Sequence, residues 1–148
     1  MKVFVISAWF LLLATAARIQ KVNGNGYGNT PLMVATLDND VDLVKRLLDS
    51  GADAKATNTR GTTALMLAAD YEYDKVVELL LPKSDVKATD HYGRSALMFA
   101  AESGNDKSLE LLLPKSDVKA TNDYGWSALM MAARYRRDTI YNNVYFRG

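Results

Sequence analysis

One block of roughly thirty residues is written four times along this chain, and that repetition limits the fold more than any other feature. Gly93–Asn122 reads GRSALMFAAESGNDKSLELLLPKSDVKATN. Upstream, Gly61–Asp90 reads GTTALMLAADYEYDKVVELLLPKSDVKATD, and Gly28–Asn58 reads GNTPLMVATLDNDVDLVKRLLDSGADAKATN. Downstream, Gly125 opens GWSALMMAARYRRD, which decays before it is complete. The marker glycines Gly28, Gly61, Gly93 and Gly125 stand 33, 32 and 32 residues apart. A fixed period of this size marks an array of stacked supersecondary units.

Within the block at Gly93, Ser95 offers a helix N-cap ahead of the apolar run Ala96–Ala101. Glu102-Ser103-Gly104-Asn105 breaks that run as a turn. Asp106 is then expected to cap a second helix, Lys107 to Leu113, with Leu109, Leu112 and Leu113 on one face. Pro114 is expected to stop it by pushing the preceding residue out of the α region. Asp117 to Tyr124 is polar and turn-like. In the first copy, Val41 to Leu48 puts Val41, Val44, Leu47 and Leu48 on one face. Asp40 and Asp42 lie near its positive end, Lys45 and Arg46 toward the other. One such hairpin cannot bury its own apolar face, so Leu79, Leu80, Leu109 and Leu112 require neighbouring copies. Each fully buried aliphatic side chain contributes about 1.5–3 kcal/mol, which makes stacking the dominant stabilising term.

The block resembles the ankyrin repeat, with a core of Gly-x-Thr-Pro-Leu, a small-residue helix, a Leu-Leu helix and Gly-Ala-Asp. The first copy matches best, in Gly28-Asn29-Thr30-Pro31-Leu32, Leu47-Leu48 and Gly51-Ala52-Asp53. The resemblance covers Asn25 to Arg137 and implies an all-α, ankyrin-type solenoid of stacked helix-turn-helix units with β-hairpin-like loops. Two departures stand out. The family's histidine is replaced by Met33, Met66, Met98 and Met130, which predicts purely apolar packing there. Copies two and three carry Pro82-Lys83-Ser84-Asp85 and Pro114-Lys115-Ser116-Asp117 in place of the Gly-Ala turn.

Met1 to Ala17, MKVFVISAWFLLLATAA, has one early lysine, an apolar stretch from Val3 to Leu13 and small-residue cleavage patterns at Ala14–Ala17. This is the layout of a secretory signal peptide, and it is short for a membrane span. An uncleaved anchor and an apolar cap helix are the competing readings. The domain expectation is therefore 1–17 signal peptide, 18–24 flexible lead-in, and 25–148 repeat domain in copies 25–57, 58–89, 90–121 and 122–148. The expected location is secreted or periplasmic, after cleavage near Ala16 or Ala17. The tail after Arg137 is expected to be the least stable part. It reads either as a degenerate cap or as a shortened array, whose open edge leaves room for dimerisation.

Composition narrows the function. Eighteen Lys and Arg against seventeen Asp and Glu give a net charge of +1, too balanced to predict a nucleic-acid or anionic-membrane partner by electrostatics alone. There is no cysteine, which excludes disulfides, thiolate chemistry and zinc–thiolate sites. The single histidine, His91, sits in an expected loop without a metal or catalytic partner. Asp38, Asp40 and Asp42 alternate but lack the glycine and distal glutamate of a calcium loop. No catalytic residue, metal site, cofactor or small-molecule substrate is expected, and a membrane enters only if the N-terminal segment stays uncleaved.

What remains is surface. The ankyrin resemblance implies a concave binding face built from loop tips and first-helix ends. Here that face carries Tyr27, Arg60, Tyr92, Arg94, Tyr124 and Trp126 from the loops, and Tyr71 and Tyr135 from the helix ends. Asp38, Tyr73, Ser103 and Arg134 occupy further helix-end positions. Tyrosine, tryptophan and arginine supply large, fairly rigid contact area with a polar end, the chemistry of binding hot spots. The expected function is a non-enzymatic, exported module that binds another protein through this face. The alternatives are an envelope accessory protein that escorts a resident enzyme and a membrane-tethered scaffold.

Overall fold

The computed structural model describes residues 26–134. The expected signal peptide, the lead-in, Tyr135 and the tail beyond Arg137 lie outside the described residues. Across the described residues the chain forms four inner helices, α1 (Pro31–Leu37), α3 (Ala64–Asp70), α5 (Ala96–Ser103) and α7 (Ala128–Arg134). Three outer helices alternate with them, α2 (Val41–Asp49), α4 (Asp74–Leu80) and α6 (Asp106–Leu112). Inner helices pack on one another in chain order, α1 on α3, α3 on α5 and α5 on α7. Outer helices do the same, α2 on α4 and α4 on α6. The result is a two-layer all-α stack in which every hairpin is covered by its neighbours.

The inner helices start where hydroxyl caps stand. Thr30 and Thr63 Oγ1 and Ser95 and Ser127 Oγ each accept the backbone N–H three residues on, at 3.3–3.4 Å. Pro31 follows Thr30 at the first helical position, where its missing N–H is not needed. The alanines that follow, Ala68, Ala69, Ala100 and Ala101, are fully buried, so backbones approach closely between repeats. The methionine replacing the family histidine is about 1 % exposed at Met33, Met66 and Met98, but 52 % exposed at Met130. The difference follows from stacking: the first three face a following repeat, and the last faces none among the described residues. The packing is not wholly apolar, because Thr63 N–H donates weakly to Met66 Sδ at 3.5 Å.

Three sequence expectations are corrected. Helix α5 runs on through Glu102 and Ser103 and ends at Gly104, whose left-handed φ of +73° caps it. Asn105, not Asp106, caps α6, with Oδ1 accepting Ser108 N–H at 3.1 Å, and Asp106 is the first helical residue. The helix gives way at Leu112 to a 3-10 turn, Leu113–Lys115, that runs through the proline, as Leu81–Lys83 does after α4. Leu81 and Leu113 stay in the α region, at φ −53° and −51°. Packing of both leucines against the core outweighs the proline's local preference. The last carbonyls of these helices are taken up by serine, with Ser84 Oγ donating to Leu80 O at 2.8 Å and Ser116 Oγ to Leu112 O at 2.7 Å. The first copy has no proline there and closes instead on Gly51, with Ala52 N–H donating to Leu47 O and Gly51 N–H to Leu48 O.

The turn between inner and outer helix needs a left-handed residue and then a cap. Copy one supplies Asn39 (φ +52°) and Asp40, and copy three supplies Gly104 and Asn105. Copy two supplies Glu72 at φ +61° and Tyr73, which makes no side-chain cap. A left-handed glutamate costs roughly 1–2 kcal/mol, and a missing cap typically about 1 kcal/mol.

Candidate functional site

The loop tips are built on one residue. Asn58, Asp90 and Asn122 stand three positions before Gly61, Gly93 and Gly125. Asn58 Oδ1 accepts Arg60 and Thr62 N–H at 2.9 and 3.0 Å. Asp90 Oδ1 accepts Tyr92 and Arg94 N–H at 3.0 and 2.9 Å, and Asn122 Oδ1 accepts Tyr124 and Trp126 N–H at 3.0 and 2.9 Å. Each loop closes as a tight turn, with the glycine N–H donating back to this residue's carbonyl. Isolated antiparallel bridges, Thr89 with Ser95 and Thr121 with Ser127, complete the hairpin-like shape.

Successive tips are then joined by backbone. Thr59 N–H donates to Tyr27 O at 2.9 Å, His91 N–H to Arg60 O at 3.0 Å and Asp123 N–H to Tyr92 O at 3.0 Å. A backbone ladder of this kind fixes the spacing of the side chains it carries, so the loop residues stand in register along the stack.

That register brings four of the sequence-predicted residues together. The Tyr92 and Tyr124 rings stack with centroids 6.5 Å apart and planes 20° apart. Arg94 lies over Tyr92 and over buried Phe99, its Cζ 5.5 and 4.3 Å from the two centroids. It is anchored on Asp90 Oδ2 at 2.8 Å and lies 3.9 Å from Glu102. Arg134 sits over Trp126 at 5.2 Å. These side chains wall a concavity of about 490 Å³ whose floor includes Asn122 and Met131. Tyr124 is 70 % and Tyr92 48 % exposed, whereas Trp126 is half-buried against the core.

The other predicted residues stand apart from that concavity. Arg60 lies 4.0 Å above the Tyr27 ring at the first end of the loop row. Tyr71 pairs with Tyr73, centroids 5.8 Å apart and planes 18° apart. Tyr135 is outside the described residues. Sequence reasoning missed Glu102 as a wall of the concavity, and offered Arg134 as a helix-end position on the binding face without pairing it with Trp126. Their signal was positional, since both stand nine residues after their marker glycine, as Asp70 does.

Asp70 ends α3 at the surface, yet protein on one side of its carboxyl strips away water. That desolvation, then the Glu102 carboxylate, raises its pKa above the ordinary 3.8, and Arg94 pulls the other way. The folded state therefore holds the Asp70 proton more tightly than the unfolded chain does. This contribution to stability is fully present below pH 3.8 and is lost as pH rises through the raised folded value. Asp70→Asn is expected to be more stable than wild type at about pH 7 and to lose that advantage near pH 3, as read by urea melts at both. An equal gain at both pH values would show that charge is not the cause.

Among the described residues no group of three or more acidic or histidine side chains is placed to hold a metal, and no helix is long and apolar enough to cross a membrane. Comparison with known proteins finds 46 % identity over 48 residues to ankyrin repeat domain-containing protein 46 of Rattus norvegicus and of Mus musculus. The match covers 32 % of this chain and 21 % of each relative, so the chain spans about a fifth of those proteins. A family model described as ankyrin repeats (3 copies) matches residues 7–90 and 82–144. By this match and by the stacked, laddered hairpins, the chain belongs to the ankyrin repeat family, whose domains are protein–protein interaction modules and typically not enzymes.

Proposed function

We propose that this protein captures a partner protein on the side lined by loop tips and inner helices, with the Tyr92–Tyr124 concavity as the anchor. One observation carries the reading: two large rings, held in register by a backbone ladder, stand exposed beside arginines stacked on aromatic faces. Exposed aromatic area on a rigid frame binds with little ordering entropy, which is where interface energy concentrates. The proposal includes export, on the strength of the Met1–Ala17 sequence.

The test uses the Tyr92→Ala, Tyr124→Ala double variant. Trp126 is left in place because it packs on the core. A photo-crosslinker at position 124 identifies the partner, and the same probe at exposed Glu110 on α6 serves as control. The double variant is expected to keep its helical circular dichroism and to bind that partner at least tenfold more weakly, about 1.4 kcal/mol. Unchanged affinity would place the contact elsewhere. N-terminal sequencing of protein recovered outside the cytosol tests export. A sequence beginning at Met1 would favour the membrane-tethered scaffold.

A further inference from the structure

The second repeat departs from its siblings in one place. Where copies one and three put Asn39-Asp40 and Gly104-Asn105, copy two has Glu72-Tyr73, preceded by Tyr71. Glu72 is held at φ +61° and Tyr73 caps nothing, so both local preferences of the turn are given up. Tyr73 recovers part of this by packing against the core. Tyr71, 52 % exposed, and Glu72, also exposed, bury little in return. Local rules broken without a compensating gain in packing point to a contact outside the fold.

The surroundings say what kind of contact. Tyr71 caps the C-terminal end of α3, where the helix presents negative partial charge. Residues 70–75 contain Asp70, Glu72 and Asp74 against the single cation Lys75, which leaves the turn net acidic. Asp74 is tied to Ser108 Oγ at 3.3 Å, and the nearby cation Arg94 is committed to Asp90. The Tyr71 and Tyr73 rings stack, joining two electron-rich faces beside these carboxylates. An anionic segment would meet repulsion here, as would nucleic acid or an acidic membrane.

We propose that the stacked Tyr71–Tyr73 pair is a docking point for a lysine- or arginine-bearing segment of the partner, the cation lying on Tyr71 and pairing with Glu72. This rests on the reading of the chain as a protein-capture module, but its test does not need the natural partner. The probe is a capped alternating glycine–lysine peptide titrated into the isotope-labelled full chain, with the glycine–glutamate peptide as its twin.

The lysine peptide is expected to move the Tyr71 and Tyr73 ring resonances, with affinity falling as salt rises, and the glutamate peptide to leave them in place. Glu72→Gly is expected to raise Tm by a few degrees, because the strain is relieved, while weakening the lysine peptide at least about fivefold. A purely structural glutamate would not show that opposition. Tyr71→Ala is expected to abolish the resonance shifts while leaving Tm within about two degrees. Equal response to the two peptides, no response to lysine, or a Glu72→Gly variant that binds as well as wild type overturns the inference. The Tyr92→Ala, Tyr124→Ala variant is expected to bind the lysine peptide normally, so failure of the concavity and failure of this docking point are read separately.

Discussion

Leu97→Ala is expected to lower the stability of the stack by about 3 kcal/mol, within the 2–5 kcal/mol range for truncating a buried leucine. Leu97 is 1 % exposed and lies on α5, which packs against α3 on one side and α7 on the other. A void there removes contacts on two repeat interfaces at once, and stability in an array is close to a sum of such interfaces. Against a total of about 5–15 kcal/mol for a domain, the loss is large. The matching control is Met130→Ala, at the 52 % exposed position of the fourth copy, where the change should stay within about 0.5 kcal/mol. Urea melts of both variants check the pair. Equal midpoints would mean that the central repeat is not held by its neighbours.

Gly93→Ala is the second large effect, expected to cost about 2 kcal/mol or more, from two causes that separate cleanly. Gly93 has φ +73°, where any side chain costs roughly 1–2 kcal/mol. A Cβ there would also stand 2.7 Å from Asp123 Oδ1 and 3.1 Å from Asp123 N. The carboxylate can swing away, but the amide cannot, because it donates to Tyr92 O and joins the third loop to the fourth. Gly125 has φ +77° and nothing within 4 Å of its virtual Cβ, so Gly125→Ala carries the conformational cost alone. The difference between the two alanine variants measures the close approach of adjacent loops. Faster hydrogen exchange at the Asp123 amide in Gly93→Ala, but not in Gly125→Ala, would locate it. Identical losses would refute the loop-contact half of the argument.

The repeat period, the hydroxyl caps and the buried leucine faces were legible because each is a local or periodic property of the chain. Ser95 caps its helix whatever lies beyond, and Leu109 and Leu112 share a face by helical spacing alone. The aromatic loop residues were nameable as a set from their slots beside the marker glycines. Their grouping was not, because Tyr92 meets Tyr124 through a hydrogen bond between segments thirty-one residues apart, Asp123 N–H to Tyr92 O. The α-region backbone of Leu113 also escaped the reading, since proline's local effect was expected to win and core packing reversed it. Nothing in the sequence marked Glu72, whose left-handed backbone is visible only in the folded turn.

The sequence by itself determined that this chain is a stack of helical hairpins with aromatic loop tips, because periodic apolar faces have no other way to leave water. Tertiary structure alone decided which tyrosines stand together, which methionine stays open, and that Glu102 and Arg134 help wall the concavity. Those outcomes depend on the spacing between repeats, which is set by alanine-lined helix contacts and the inter-loop ladder and is written in no single copy.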